Sequence, residues 1–316
     1  MTMHPRGAMI RDLALRLPGG RWLHPLHRAP WVGTADGDEQ PGLMAGLAGE
    51  WPCIPFGMPG EPLPADWRPA ESWEDPFPHG YAANHDWDLR PAAGGIEARI
   101  ALPSTHPIAW LERRAAPVPG GVALGVTAMP RRDARLPIGL HPVFRLPRTV
   151  GAMRIDIAGA QTVFTHPADP QPDPSPLVPG GVFSGLRSVT DRAGRVCDLS
   201  RLPLAKPCEI RVLVRATGGR VRLADLSTRA VQHLQYDASV FPAVMLWISN
   251  GGRAGAPWNG GHYALGVEPV AAAFDLGAGA SLGASPLAAR GLRTAHDFRA
   301  GQLFRTAIRL TAARMR

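Results

Sequence analysis

The chain has 316 residues and a formal charge of +8, with Lys206 the only lysine among 34 basic residues. Its arginines are scattered, with adjacent pairs only at Arg113-Arg114 and Arg131-Arg132, so no basic run marks a nucleic-acid partner. A positive field would still favour an anionic substrate. Three cysteines without metal-finger spacing, no secretory leader and no apolar run approaching ~18 residues point to a cytoplasmic protein with no membrane span.

Residues 1–21 are ambiguous, with 8–17 reading as two short strands or a ragged helix. Residues 35–40 form a polar turn. Pro52 and Pro55 exclude a helix around Trp51. Residues 58–78, rich in Pro, Trp and acids, read as a long surface loop of a kind that is often functional. Residues 96–102 alternate, with Ile96, Ala98, Ile100 and Leu102 on one face of a half-buried strand. Residues 110–115 and 122–129 read as a hairpin around Pro119-Gly120. The prolines of 167–179 predict a long extended connection. Residues 209–216 place Ile210, Val212 and Val214 inward, and Gly218-Gly219 predicts a second hairpin into 220–224. Residues 244–249 suit a central strand buried on both faces. A short helical turn is expected within 287–292, and 303–310 closes the fold as an alternating strand. Length alone suggests two domains, but large all-β folds exceed that scale. The expectation is one all-β domain spanning 1–316, a large β-sandwich.

Two stretches carry candidate chemistry. In Gly139-Leu140-His141-Pro142, proline holds His141 extended, and Gly139 on the same face leaves space beside the imidazole. In Gly266-Val267-Glu268-Pro269 the device repeats with a carboxylate. Such glycines mark close approach of a ligand or of another backbone. Imidazole and carboxylate are common acid–base groups, so the two are expected to face each other across a small-molecule cleft. The plainer alternative is a satisfied core histidine and a surface glutamate. His79, before Gly80, completes a turn or borders a ligand. Trp258, in a Gly-rich loop, is expected to line a surface site, and Trp247 to be core. Phosphate-loop, dinucleotide, nucleophile-elbow and zincin motifs are absent from the sequence. Asp86 and Asp88 flank Trp87 without forming a convincing glycosidase pair.

His79-Gly80-Tyr81 with Trp87, Gly139-Leu140-His141-Pro142-Val143-Phe144 and Gly266-Val267-Glu268-Pro269, in that order, resemble the aldose 1-epimerase (galactose mutarotase-like) family. The resemblance covers most of the chain. It implies a galactose mutarotase-like β-supersandwich and an isomerase that interconverts sugar anomers. Glu268 would take the anomeric hydroxyl proton, and His141 would protonate the ring oxygen. His79, Asn84 and Trp258 would bind the substrate, a small-molecule sugar. It implies no metal or organic cofactor, and a monomer or homodimer. Ala83 and Asn84 stand where the hexose-6-phosphate type carries an arginine, which argues against a phosphorylated sugar. The acidic residue that meets sugar hydroxyls has no motif here; Asp225 and Asp237 are candidates. A non-catalytic carbohydrate-binding or regulatory protein of the same fold is the alternative.

Overall fold

Period-two alternation puts one row of side chains on each face of a strand, and two such sheets can close over their apolar rows. The computed structural model describes residues 1–58, 60, 62–168 and 175–315, so the expected proline-rich connection lies partly outside the described residues. Among the described residues, two large antiparallel sheets carry the fold. The first comprises β1 (Pro52–Cys53), β2 (Ile138–Leu140), β3 (Val143–Arg145), β4 (Ala160–Thr165), β5 (Val182–Phe183), β6 (Cys208–Ala216), β7 (Ala243–Asn250) and β8 (Tyr263–Ala271). Its order is β5-β4-β6-β7-β8-β2-β1, and β3 also pairs with β8. The second sheet has nine strands and includes the expected hairpin, Ile108–Val118 with Gly121–Pro130, beside the closing strand Phe304–Arg314. Residues 1–23 adopt the strand alternative, as two small antiparallel pairs.

The second expected hairpin does not form. Strand β6 pairs with β4 and β7 in the first sheet, whereas Arg220–Asp225 pairs with Met153–Ile157 and Ala230–Tyr236 in the second. The Gly218-Gly219 turn carries the chain from one layer to the other. This lets Ile210, Val212 and Val214 meet Val221 and Leu223 in the core between the sheets. Each such burial is worth about 1.5–3 kcal/mol.

The first sheet is buried on both faces. Leu213, Met245, Trp247 and Val270 face away from the other sheet, into a second cluster with Trp31, Leu43, Trp51, Phe56 and Trp67. Residues 58–78 are thus partly interior: Trp67 is buried there, and Glu74 accepts hydrogen bonds from the amides of Ala278 and Gly279. Loop segments, not solvent, cover this face, and the polar residues on it line a cleft.

One ion pair is buried against the second sheet. Arg113 points inward from its strand and pairs with Glu50, both fully buried. Its guanidinium also donates to the carbonyls of Ala8 (3.0 Å) and Glu50 (3.3 Å). Burial pulls the Arg113 pKa down to about 9. The pair fastens the amino-terminal segment and the residue preceding Trp51 to the second sheet. Arg113→Met is expected to lower unfolding free energy in urea by about 3–5 kcal/mol, because Glu50 is left as an unpaired buried charge. The double variant Arg113→Met/Glu50→Leu should recover most of that loss.

Candidate active site

Pro142 cannot donate to a ladder, and the strand that carries it is split there into β2 and β3. Both pieces keep one register on β8: Ile138 lies opposite Ala271, and Val143 opposite Gly266. Carried across the break, that register sets His141 opposite Glu268. The His141 amide donates to the Trp51 carbonyl (2.9 Å), and the Val267 amide to the Pro142 carbonyl (2.9 Å). His141 Nε2 stands 3.4 Å from Glu268 Oε1, an electrostatic contact without good hydrogen-bond geometry. Neither residue matches the plainer expectation, since Glu268 is fully buried and both its oxygens lack a hydrogen-bond partner in the protein.

The two glycines act differently from expectation. A Cβ on Gly266 would fall 2.2 Å from Glu268 Oε1, so this space houses the carboxylate itself. A Cβ on Gly139 would fall 2.5 Å from the Phe56 ring, so that space is filled by Phe56. Neither gap is open to a ligand; both let groups pack against the His141–Glu268 pair.

His141 stacks on Trp51, with centroids 4.1 Å apart and planes 18° apart. His79 meets the imidazole edge-on at 5.0 Å. His79 has φ +58°, a left-handed conformation unusual for a residue other than glycine. Gly80 follows at φ +88°, and a Cβ there would press on the Ile54 carbonyl at 3.0 Å. The glycine thus admits close backbone packing and turns His79 toward the cleft. The cleft has a volume of about 460 Å³, within the range of small-molecule sites. His79, His141, Trp51, Trp247 and Trp258 line it, together with Arg211, Asp275 and Arg253. Trp247, expected in the core, is nearly buried but presents its ring to the cleft.

Asn84 is not among the lining residues. Its carboxamide oxygen accepts from the Leu43 amide (2.9 Å), and its amide donates to the carbonyls of Pro78 (2.7 Å) and Gly80 (2.8 Å). It clamps the His79 loop to the 3-10 turn Gly42–Gly46 and has no polar group left for substrate. Leu43 and Met44 of that turn line the cleft on one side and a neighbouring cavity of about 520 Å³ on the other.

Asp225 and Asp237 lie elsewhere, accepting hydrogen bonds in turns from Ser227 and Thr228 and from Ser239. The acid lining the cleft is Asp275, just past β8; Glu209 on β6 is fully buried and does not line it. Arg211, on the same face of β6 as Glu209, donates to Asp275 (2.5 Å), with His166 Nε2 at 3.4 Å from the other carboxylate oxygen. Burial pushes the Asp275 carboxyl up, but Arg211 and His166 outweigh it and hold the group well below the usual carboxylate range. Burial raises Glu268 far above its ordinary value, and the Asp275 charge adds to the rise. Burial lowers His79 to about 4 and His141 well below its ordinary value. The pair therefore favours its uncharged form when dry.

By sequence, no protein-family model and no curated protein matches the chain. Solved structures do match. The GalM/aldose epimerase homologue from C. elegans aligns with a TM-score of 0.63 at 13% identity, over 99% of this chain and 94% of that one. A protein from Synechocystis sp. gives 0.61 at 13% identity, over 98% and 89%. The chain has the galactose mutarotase-like fold. A galactose mutarotase-like protein from Lactobacillus casei aligns at 0.53 and 15% identity, over 83% and 84%. In this mutarotase-like sandwich the cleft opens on the face of the first sheet turned away from the second.

Two outcomes test the geometry. A carboxyl whose folded pKa is raised loses stability as pH climbs from its unfolded value toward the folded one. Glu268→Gln is thus expected to be more stable than wild type in urea at neutral pH, and equal to it near about pH 3.5, where the carboxyl is protonated in both states. Gly266→Ala is expected to lose about 1–3 kcal/mol, because the methyl and the Glu268 carboxylate claim one space.

Proposed function

We propose that the protein is a sugar mutarotase that opens and recloses the ring of an aldose. The observation that carries this reading is the approach of His141 Nε2 to Glu268 Oε1, 3.4 Å apart beside the cleft. The expectation of two groups facing each other across the cleft is not met: they are in contact with each other, and Glu268 is not among the lining residues. The hydroxyl that loses a proton and the ring oxygen that gains one share a single carbon. The base and acid that serve them must therefore be near neighbours.

In this mechanism the Glu268 carboxylate takes the proton of the anomeric hydroxyl. The bond between the anomeric carbon and the ring oxygen breaks, and His141 delivers a proton to that oxygen. The aldehyde end rotates, and the reverse transfers close the ring on its other face. The two side chains hold the same number of protons in total before and after. The charged pair is the minor form in the dry site and arises by proton transfer from Glu268 to His141; opening returns both to the uncharged form that burial favours. His79 binds near the ring oxygen. Asp275 and Arg211 offer an acceptor and a donor to ring hydroxyls, and Trp258 a face for the sugar's C–H side.

Polarimetry on freshly dissolved α-anomers tests the reading. Wild type is expected to speed equilibration, and Glu268→Gln and His141→Asn to lose roughly 10²–10⁴ of that acceleration. No acceleration by wild type, with calorimetric binding of sugar retained, would favour the non-catalytic carbohydrate-binding protein instead.

A further inference from the structure

We propose that Arg253 is the specificity-determining residue of the cleft, and that it selects a sugar bearing a carboxylate on the side remote from the anomeric carbon. This rests on the mutarotase reading for which end of the sugar lies at His141.

Arg253 belongs to the 251–262 connection between β7 and β8 and lines the cleft. Its guanidinium carbon lies 4.2 Å from the ring centre of Trp258 and 5.7 Å from that of Trp247. One terminal nitrogen sits 3.0 Å from Glu209 Oε1. Glu209 is fully buried and also accepts from the Trp247 indole N–H. A carboxylate beneath and an aromatic face beside it fix the guanidinium in one orientation, so little rotamer freedom remains to be lost on binding.

Position selects the end of the ligand. Along the first sheet Glu268 is level with Met245, and Glu209, which holds Arg253, is level with Ser249, so Trp247 stands between the His141–Glu268 pair and the Arg253 anchor; its ring lies 6.0 Å from that of His141. A ring whose anomeric carbon is at His141 runs along Trp247, and its opposite edge meets Arg253.

Charge selects the group. Glu209 occupies one prong of a guanidinium that has five donors, leaving others directed at the cleft. The second arginine of the cleft, Arg211, is joined to Asp275. A carboxylate matches a planar fork in shape and in single charge. A phosphate, at about −1.5 to −2, would exceed one partly compensated cation. A lone hydroxyl would use only part of the fork. Glu209 does not line the cleft, so a bound carboxylate meets the guanidinium rather than the anion behind it.

The test uses the intact chain with glucose, glucuronate and glucose 6-phosphate, read by polarimetry for kcat/KM and by calorimetry for Kd. Wild type is expected to prefer glucuronate over glucose by roughly tenfold to a hundredfold, the scale of a charge-assisted contact. Arg253→Gln should bring that ratio close to one. Arg253→Lys, which keeps the charge and loses the fork, should fall between. Equal use of glucose and glucuronate by wild type, a preference that survives Arg253→Gln, or a preference for glucose 6-phosphate would each overturn the assignment. So would the failure of all three sugars to bind. Arg253-dependent tighter binding of glucuronate without turnover of any sugar would sustain the assignment and overturn the mutarotase reading.

Discussion

The site depends on one cross-strand register. A strand interrupted by Pro142 resumes without a slip, and only for that reason does His141 stand opposite Glu268. A slip of one residue would turn one of the two side chains to the other face, into the packed layer between the sheets, and part the pair. The register is protected from both ends. Phe56 fills the space at Gly139, and the Glu268 carboxylate fills the space at Gly266. The platform beneath the imidazole, Trp51, follows Glu50, which Arg113 ties to the opposite sheet. Core packing and placement of the acid–base pair are thus the same set of contacts.

The electrostatics follow from that burial. Water is kept from Glu268 and His141, so both resist carrying charge. Asp275 behaves oppositely because Arg211 and His166 sit against it. One carboxylate held charged beside another held uncharged is a division of labour set by neighbours rather than by residue type. Holding Glu268 in this state costs stability at neutral pH, as functional sites often do.

Much of this was legible in the sequence, and the failures share one cause. His141, Glu268 and His79 stand out in the sequence because each sits beside a glycine or proline whose backbone demands are local. The all-β architecture was legible because alternation is a local signal. Alternation says which residues share a face, but not what covers it. In β6 the row opposite Ile210, Val212 and Val214 read as solvent-facing. It holds Glu209 and Arg211, and loops turn that face into a cleft wall. The lost hairpin after Gly219 has the same origin, since a turn signal does not say whether two strands lie side by side or in opposite layers. Proximity to the His-Gly pair in sequence does not bring Asn84 to the cleft. Its carboxamide instead makes three backbone contacts.

The Gly42–Gly46 turn separates the cleft from its neighbouring cavity with little more than Leu43 and Met44. It stands outside the two large sheets, and Leu43 packs in the same cluster as Trp51 and Phe56. Leu43, Met44 and Pro78 border both spaces, so the side chains that set the size of the cleft also set that of its neighbour.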